Sequence, residues 1–312
     1  MKIFIVDAFT SEPFRGNPAA VLLAGEKECA NDAFCQRVAA EMNLSNTAFP
    51  CPKNGDFKTA SNFSLRWFTP TVEVPLCGHA TLATAHVLFR EIGNSNEALT
   101  FETTSSGTLT CRNVDDKVQM DFPQYEVRSL DLGSWRDKFK RGLFEEFQGN
   151  VPEFLDDVVK VVSCGRPAAA VAYAPEAQYL IVAVDSMSES EFTALKPDVA
   201  ELLKLHPEGS FLRGVILTME AGGMDLPFDF ASRFFGPWIG IKEDPATGSA
   251  HCLNGPFWGK ILGKTELNAK QCFPGRGAHF KLQLRNDAGR ISILGAATTV
   301  LSGSMSDTVG IA

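Results

Sequence analysis

The sequence predicts an α+β protein of two pseudo-symmetric lobes, and three observations predict it. The stretch Glu243-Asp244-Pro245-Ala246-Thr247-Gly248-Ser249-Ala250-His251 has a partner in Pro75-Leu76-Cys77-Gly78-His79-Ala80-Thr81. Each is a turn of small residues running into an apolar segment of helical length, Thr81 to Ile92 and Ala250 to Leu262, and each segment stops at a glycine. At a fixed offset of 170, Gly78 meets Gly248, Ala80 meets Ala250, Gly93 meets Gly263 and Gly107 meets Gly277. Upstream, Arg66-Trp67-Phe68-Thr69-Pro70 matches Arg233-Phe234-Phe235-Gly236-Pro237 at an offset of 167. We read this as a duplication that placed one strand–turn–helix–strand unit in each half, with chance glycine spacing as the alternative. Finally, 312 residues are long for one core and comfortable for two lobes.

Taken in order, residues 2–8 alternate and carry enough Ile, Phe and Val to form a first strand. The turn Ser11 to Asn17 leads into a second, Ala19 to Leu23. Asn17 precedes a proline and is therefore held extended, which fits either an aimed amide or a plain turn former. Asn31 caps a helix from about Asp32 to Asn43, with Phe34, Val38 and Met42 as its apolar stripe. Strands are expected near 64–69 and 99–124, flanking the first central helix. Around residues 125–160 the composition turns charged, aromatic and poorly periodic, so the chain is expected to cross into the second lobe there. Val159 to Ser163, Ala168 to Tyr173, Tyr179 to Val184 and Val215 to Met219 read as strands, and Glu189 to Leu203 as one helix. Two strands close the chain, Arg290 to Gly295 and Ala297 to Gly303, and the last is expected to return to the first lobe. The expected lobes are residues 1–126 plus about 297–312, and residues 127–296.

Composition narrows function. The 45% hydrophobic and 21% charged content is that of a soluble globular protein. No apolar run reaches the ~18 residues of a membrane span, and no signal-peptide cleavage region follows Met1, so a cytoplasmic protein is expected. Eight cysteines are scattered without a C-x-x-C pair, which gives no zinc knuckle or redox dithiol. A net charge of −8 without a basic cluster argues against nucleic acid. The two turns point elsewhere. The first N–H groups of a helix lack internal partners and carry partial positive charge, so a small-residue turn entering a helix suits an anion. A small carboxylate is the expected guest, held by two helix tips facing one hollow.

Several segments together resemble the phenazine biosynthesis PhzF-like family, relatives of diaminopimelate epimerase. They are Asp7-Ala8-Phe9-Thr10 with Gly16-Asn17-Pro18-Ala19-Ala20-Val21, Glu41-Met42-Asn43-Leu44-Ser45, Arg66 to Pro70, Cys77-Gly78-His79-Ala80-Thr81-Leu82-Ala83, and Glu243 to Ala250. They stand in family order and span residues 1 to about 260. The resemblance implies two lobes, each a mixed β-barrel around a central helix, and an isomerase cleft that binds a small carboxylic acid. It further implies that no cofactor or metal is used, and commonly a homodimer.

It also exposes a departure. In the family's phenazine enzymes a glutamate directly after Met-Asn-Leu-Ser shuttles a proton between substrate carbons; here that position is Asn46, whose amide accepts no proton near pH 7. His79 and Asp244 stand where those enzymes hold substrate, and Asn17, Gly78, Gly248 and Ser249 are the expected binding residues. Asn46 as a turn residue and Asp244 as a helix cap are the plainer alternatives. Diaminopimelate epimerase works with two cysteines, one from each half. This chain has Cys77 but Ala246 at the corresponding turns, which excludes two-cysteine racemisation. Cys77 is then either a lone thiol activated at a helix start or an inert core residue. Glu73 and Asp7 are further carboxylate candidates, with a structural ion pair or cap as the better account of each. Two functions follow: an isomerase of a hydroxylated or unsaturated carboxylic acid with its base reassigned, or a silent carboxylate binder or scaffold on the same fold.

Overall fold

In the computed structural model, which describes residues 1–104, 107–132, 139, 142–222 and 228–306, the chain starts with strand β1 (Lys2–Ala8) and strand β2 (Asn17–Leu23), an antiparallel pair. Helices α1 (Glu26–Cys29) and α2 (Asp32–Met42) then lead to β3 (Asn46–Pro52), parallel to β2. Next come β4 (Asn62–Phe68), antiparallel to β3, and the short β5 (Glu73–Val74) beside it. Helix α3 (Gly78–His86) continues as one π-helical turn, Val87–Glu91. Then β6 (Ala98–Glu102) lies parallel to β4, and β7 (Thr108–Val114) and β8 (Lys117–Pro123) follow as antiparallel neighbours.

The same order is then repeated. After β9 (Arg128–Ser129) and α4 (Leu155–Val162), β10 (Ala168–Ala174) pairs antiparallel with β11 (Tyr179–Val184). Helices α5 (Glu189–Ala194) and α6 (Val199–Leu205) lead to β12 (Gly214–Glu220), parallel to β11. β13 (Phe230–Gly236) is antiparallel to β12, and β14 (Ile241–Asp244) to β13. Helix α7 (Gly248–Leu262) follows, then β15 (Glu266–Gln271), parallel to β13, and β16 (Ala278–Arg285), antiparallel to β15. β17 (Arg290–Gly295) and β18 (Ala297–Ser304) end the described chain, and β18 pairs with β1 as β9 pairs with β10.

Two compact units result, Met1–Phe122 with Ser292–Ala312, and Pro123–Ile291. Of the lobes expected from sequence, residues 133–138, 140–141 and 307–312 lie outside the described residues, as do 105–106 and 223–227. In the first unit every residue from Gly78 to Ala85 of α3 is buried, and the helix packs on β1, β2, β3 and β18. In the second, α7 is buried at Gly248, at Ala250 to Gly255 and at Phe257 to Gly259, and packs on β15 and β16. A helix apolar on all sides must sit inside its domain, which is why neither shows a polar stripe. Pro256 removes the N–H that would bond the Cys252 carbonyl, and the Tyr125 N–H takes its place at 3.0 Å.

Two assignments need correction. Val159 to Ser163 is not a strand but the end of α4, whose buried Leu155, Val158, Val159 and Val162 fall at helical spacing. The run of β-branched residues mimics a strand, and the pattern becomes helical only once Leu155 is counted. Glu189 to Leu203 is two helices rather than one. The chain leaves α5 at Leu195 with ψ at 134°, Pro197 follows, and Asp198 opens α6 by accepting the Ala200 and Glu201 N–H groups, both at 3.1 Å.

One glycine bears directly on the site. Gly16 has φ at +60°, and a Cβ there would lie 2.1 Å from the Ala8 carbonyl oxygen. Gly16→Ala is therefore expected to destabilise the protein by at least about 1–3 kcal/mol, measured by urea unfolding, because strain and a backbone clash act together.

Candidate functional site

In the first unit, the starts of β2, β3 and α3 bring together five residues. Helix α2 ends at Asn43, whose left-handed φ of 50° turns the chain so that Ser45 and Asn46 open β3 beside β2. The Ser45 hydroxyl lies 3.1 Å from each of the Asn17 Oδ1, the Pro18 carbonyl and His79 Nε2. Across the ring, His79 Nδ1 lies 3.4 Å from Cys77 Sγ, and the thiol also donates to Asn46 Oδ1 at 3.2 Å. Cys77 is the N-cap of α3 but makes no side-chain cap bond, and Gly78 and His79 are the first helical residues. The first N–H groups of the helix, which have no intrahelical partner, thus lie beside this cluster.

One arrangement of protons satisfies the histidine. Asn17 Oδ1 and the Pro18 carbonyl only accept, so they take the single Ser45 proton, and His79 Nε2–H donates to the hydroxyl. Nδ1 is left as a lone pair facing the thiol, whose single proton is shared between it and Asn46 Oδ1. Burial holds the His79 pKa down to about 3, so the imidazole is neutral at pH 7. Asn46 is 5% exposed, and its Nδ2 is buried with no hydrogen-bond partner among the described residues. A buried amide N–H without an acceptor costs about 1–3 kcal/mol, so an oxygen of a ligand or of solvent placed there would be stabilising.

Glu73 stands apart from this cluster: Arg66 holds it with two bonds of 2.8 Å from Nε and one terminal nitrogen. Asp7 is buried and accepts the Phe14 N–H at 2.6 Å, which pins the loop before Asn17.

The second unit offers the equivalent helix start with different chemistry. Asp244 ends β14 and takes the Thr247 hydroxyl proton at 2.5 Å. Thr247 is the N-cap of α7, so Asp244 reaches the helix start through that hydroxyl. Gln271, at the end of β15, fixes the turn with three bonds: it accepts the Thr247 N–H at 2.8 Å and donates to the Asp244 carbonyl at 2.7 Å and the Thr247 hydroxyl at 3.0 Å. Gly248 and Ser249 open α7 without a side-chain cap bond. Burial pushes the Tyr179 phenol up, and the neighbouring Ser249 hydroxyl acts in the opposite sense.

One turn further, His251 donates from Nδ1 to the Thr247 carbonyl at 2.9 Å, and burial holds its pKa down to about 4. Both lowered histidines fold in the neutral form, whereas the unfolded chain takes up a proton near 6.5. Their stabilisation is therefore complete above about pH 6.5 and is lost as pH falls toward 4 and 3. We expect urea-unfolding stability to drop by roughly 3 kcal/mol from His251 alone over that interval, and His251→Leu to flatten the slope by about one proton.

The two units also share a structural device. Arg233 grips Glu243 through Nε at 2.7 Å and a terminal nitrogen at 3.0 Å, as Arg66 grips Glu73. Arg66 bonds the Cys29 carbonyl and lies over Phe68; Arg233 bonds the Phe192 and Leu195 carbonyls and lies over Phe235. In each unit the pair clamps the hairpin that delivers the chain to the helix tip. Among the described residues no group of three or more His, Cys, Asp or Glu could hold a metal ion.

Sequence reasoning missed Ser45, Gln271 and Tyr179. Ser45 lies inside the Met-Asn-Leu-Ser motif and was within reach, whereas Gln271 and Tyr179 come to the α7 start only through strand pairing.

Two units of matched topology, each with a mixed sheet on a buried helix, define the α+β, diaminopimelate epimerase-like class of fold. The family described as phenazine biosynthesis-like protein matches residues 6–303, and the chain belongs to it. It is 42% identical over 310 residues to a human phenazine biosynthesis-like domain-containing protein, covering 98% of this chain and 99% of that one. It is 38% identical over 312 residues to a protein of Pseudomonas aeruginosa named an uncharacterised isomerase, covering 98% of each. A crystal structure of a PhzF-family phenazine biosynthesis protein from Enterococcus faecalis is similar with a TM-score of 0.77 at 31% identity, covering 98% of both chains.

Proposed function

We propose that this protein is an isomerase of a small hydroxylated or unsaturated carboxylic acid, moving a proton between carbons without a cofactor. The observation that carries the reading is the Asn46 amide, a buried N–H without an acceptor among the described residues, in the cluster that holds His79 and borders the start of α3. An anionic oxygen would complete its hydrogen bonding. Family membership supports the class of chemistry, and the Pseudomonas relative is named an isomerase.

In this reading Asn17 sets Ser45, which sets the His79 ring. Asn46 and the N–H groups at Gly78 bind carboxylate oxygen. In the second unit Gly248 and Ser249 offer the same kind of donors beside Asp244, whose carboxylate accepts from Thr247 and whose carbonyl accepts from Gln271, and Asp244 is the proton-transfer candidate of that unit.

A second reading is a silent carboxylate binder, favoured by the replacement of a proton-carrying carboxylate by Asn46. Incubation in D₂O with a panel of small unsaturated and hydroxylated carboxylic acids, followed by NMR, separates the two. Deuterium entering a carbon position is the expected result. Acids that bind, as read by saturation transfer, yet never exchange would remove the isomerase and leave the binder.

A further inference from the structure

The loss of a carboxylate at position 46 leaves proton transfer in the first unit without an evident carrier, and the same cluster contains an unused one. Cys77 Sγ lies 3.2 Å from Asn46 Oδ1 and 3.4 Å from His79 Nδ1. We infer that Cys77 and His79 form a thiol–imidazole acid–base pair that carries the substrate proton, with the Asn46 amide holding the carboxylate of the acid beside the sulfur. This deepens the isomerase reading and rests on it for the substrate class.

Three features support the pair. The bonding of Ser45 leaves the His79 Nδ1 lone pair facing the thiol, so the ring is already in the tautomer that accepts a proton from sulfur. The sulfur belongs to the N-cap residue of α3, where the helix end favours negative charge and thiol pKa values fall. The third feature is Asn46 itself. A glutamate there would stand against a thiolate, like charge on like charge, and hold it protonated. An asparagine accepts from the thiol, sets no formal charge against the thiolate, and keeps an N–H that is buried and without an acceptor among the described residues. The residue that removes one base is thus the residue that permits another. Burial lowers the basicity of His79, but a thiolate beside an imidazolium has no net charge and escapes most of that penalty.

The step balances without a further reactant. The thiol proton passes to His79 Nδ1, leaving thiolate and imidazolium. The thiolate then takes a proton from carbon, so a C–H bond breaks and an S–H bond forms, and the electron pair spreads into the adjacent carboxylate or unsaturated system. The S–H so formed exchanges its proton with solvent; delivery of a proton from sulfur to another carbon then breaks S–H, forms the new C–H, restores the thiolate and carries deuterium to carbon in D₂O. The imidazolium proton then returns to sulfur.

The test is alkylation of the whole protein with iodoacetamide from about pH 5.5 to about pH 9.5, resolved by peptide mass spectrometry. Cys164, which is exposed, serves as the internal reference. The Cys77 rate is expected to inflect at least about one pH unit below that of Cys164, giving a thiolate fraction at pH 7 roughly eightfold larger than an ordinary thiol has. His79→Gln and Asn46→Asp should each move the inflection back toward that of Cys164. Iodoacetate, which carries a carboxylate, should be favoured over iodoacetamide at Cys77 more than at Cys164. Cys77 that stays unlabelled in the folded protein, titrates like Cys164, or is indifferent to His79→Gln overturns the pair.

The D₂O experiment separates the failures. Exchange that persists in Cys77→Ser removes the thiol and leaves the isomerase. If Cys77 is activated but no acid exchanges, the acid–base pair is supported and the isomerase reading falls.

Discussion

His79→Ala is expected to abolish solvent exchange into the substrate, a loss on the order of 10²–10⁴-fold, and Asp244→Ala to do the same. For His79 the expectation rests on connectivity: the ring bonds both Ser45 and the Cys77 thiol, so its removal breaks this path between Asn17 and sulfur. Asp244→Asn refines the test. An amide oxygen still accepts the Thr247 proton, so the turn before α7 is kept while the charge is lost. Full loss in Asp244→Asn identifies proton transfer or charge as the role, and full activity identifies the hydrogen bond alone. Far-UV circular dichroism on each variant separates lost chemistry from lost fold. Unchanged rates in both His79→Ala and Asp244→Ala would remove the mechanism.

Much of this site was legible because its parts lie in short local motifs. Cys77, Gly78 and His79 are consecutive, Ser45 and Asn46 adjoin, and Asp244 to Ser249 form one turn. Local turns carry their geometry in sequence, since a small-residue run before an apolar segment admits few conformations. Long-range register does not. Gln271 sits 24 residues beyond Thr247 and reaches it through the end of β15, which β13 pairs in parallel; nothing in its own neighbourhood announces that. The duplication followed the same division. Its glycines marked equivalent turns, yet the full repeat of strand pairings, including β18 with β1 and β9 with β10, is a property of the ladder. Valine-rich α4 misled because one turn of β-branched residues has no readable period.

The matched arginines give the largest expected effect on stability, and an asymmetric one. Arg233 is 2% exposed and Glu243 17%, whereas Arg66 is 17% exposed and Glu73 31%. Burial makes the second pair the more consequential to break. Arg233→Met strands the Glu243 carboxylate and removes the donor from the Phe192 and Leu195 carbonyls, which tie the helix α5 region to β13. Leaving one charge of a buried pair uncompensated costs about 3–5 kcal/mol. Arg66→Met leaves Glu73 and Asp32 able to turn to water and should cost about 1 kcal/mol. Urea unfolding of the two variants measures the difference directly, and equal losses would mean that exposure does not set the value of the clamp. The double variant Arg233→Met with Glu243→Leu should recover part of the loss, because an apolar pair leaves no stranded charge. A double variant as unstable as Arg233→Met alone would locate the cost in the two orphaned carbonyls. The clamp would then act mainly by anchoring backbone and only secondarily as an ion pair.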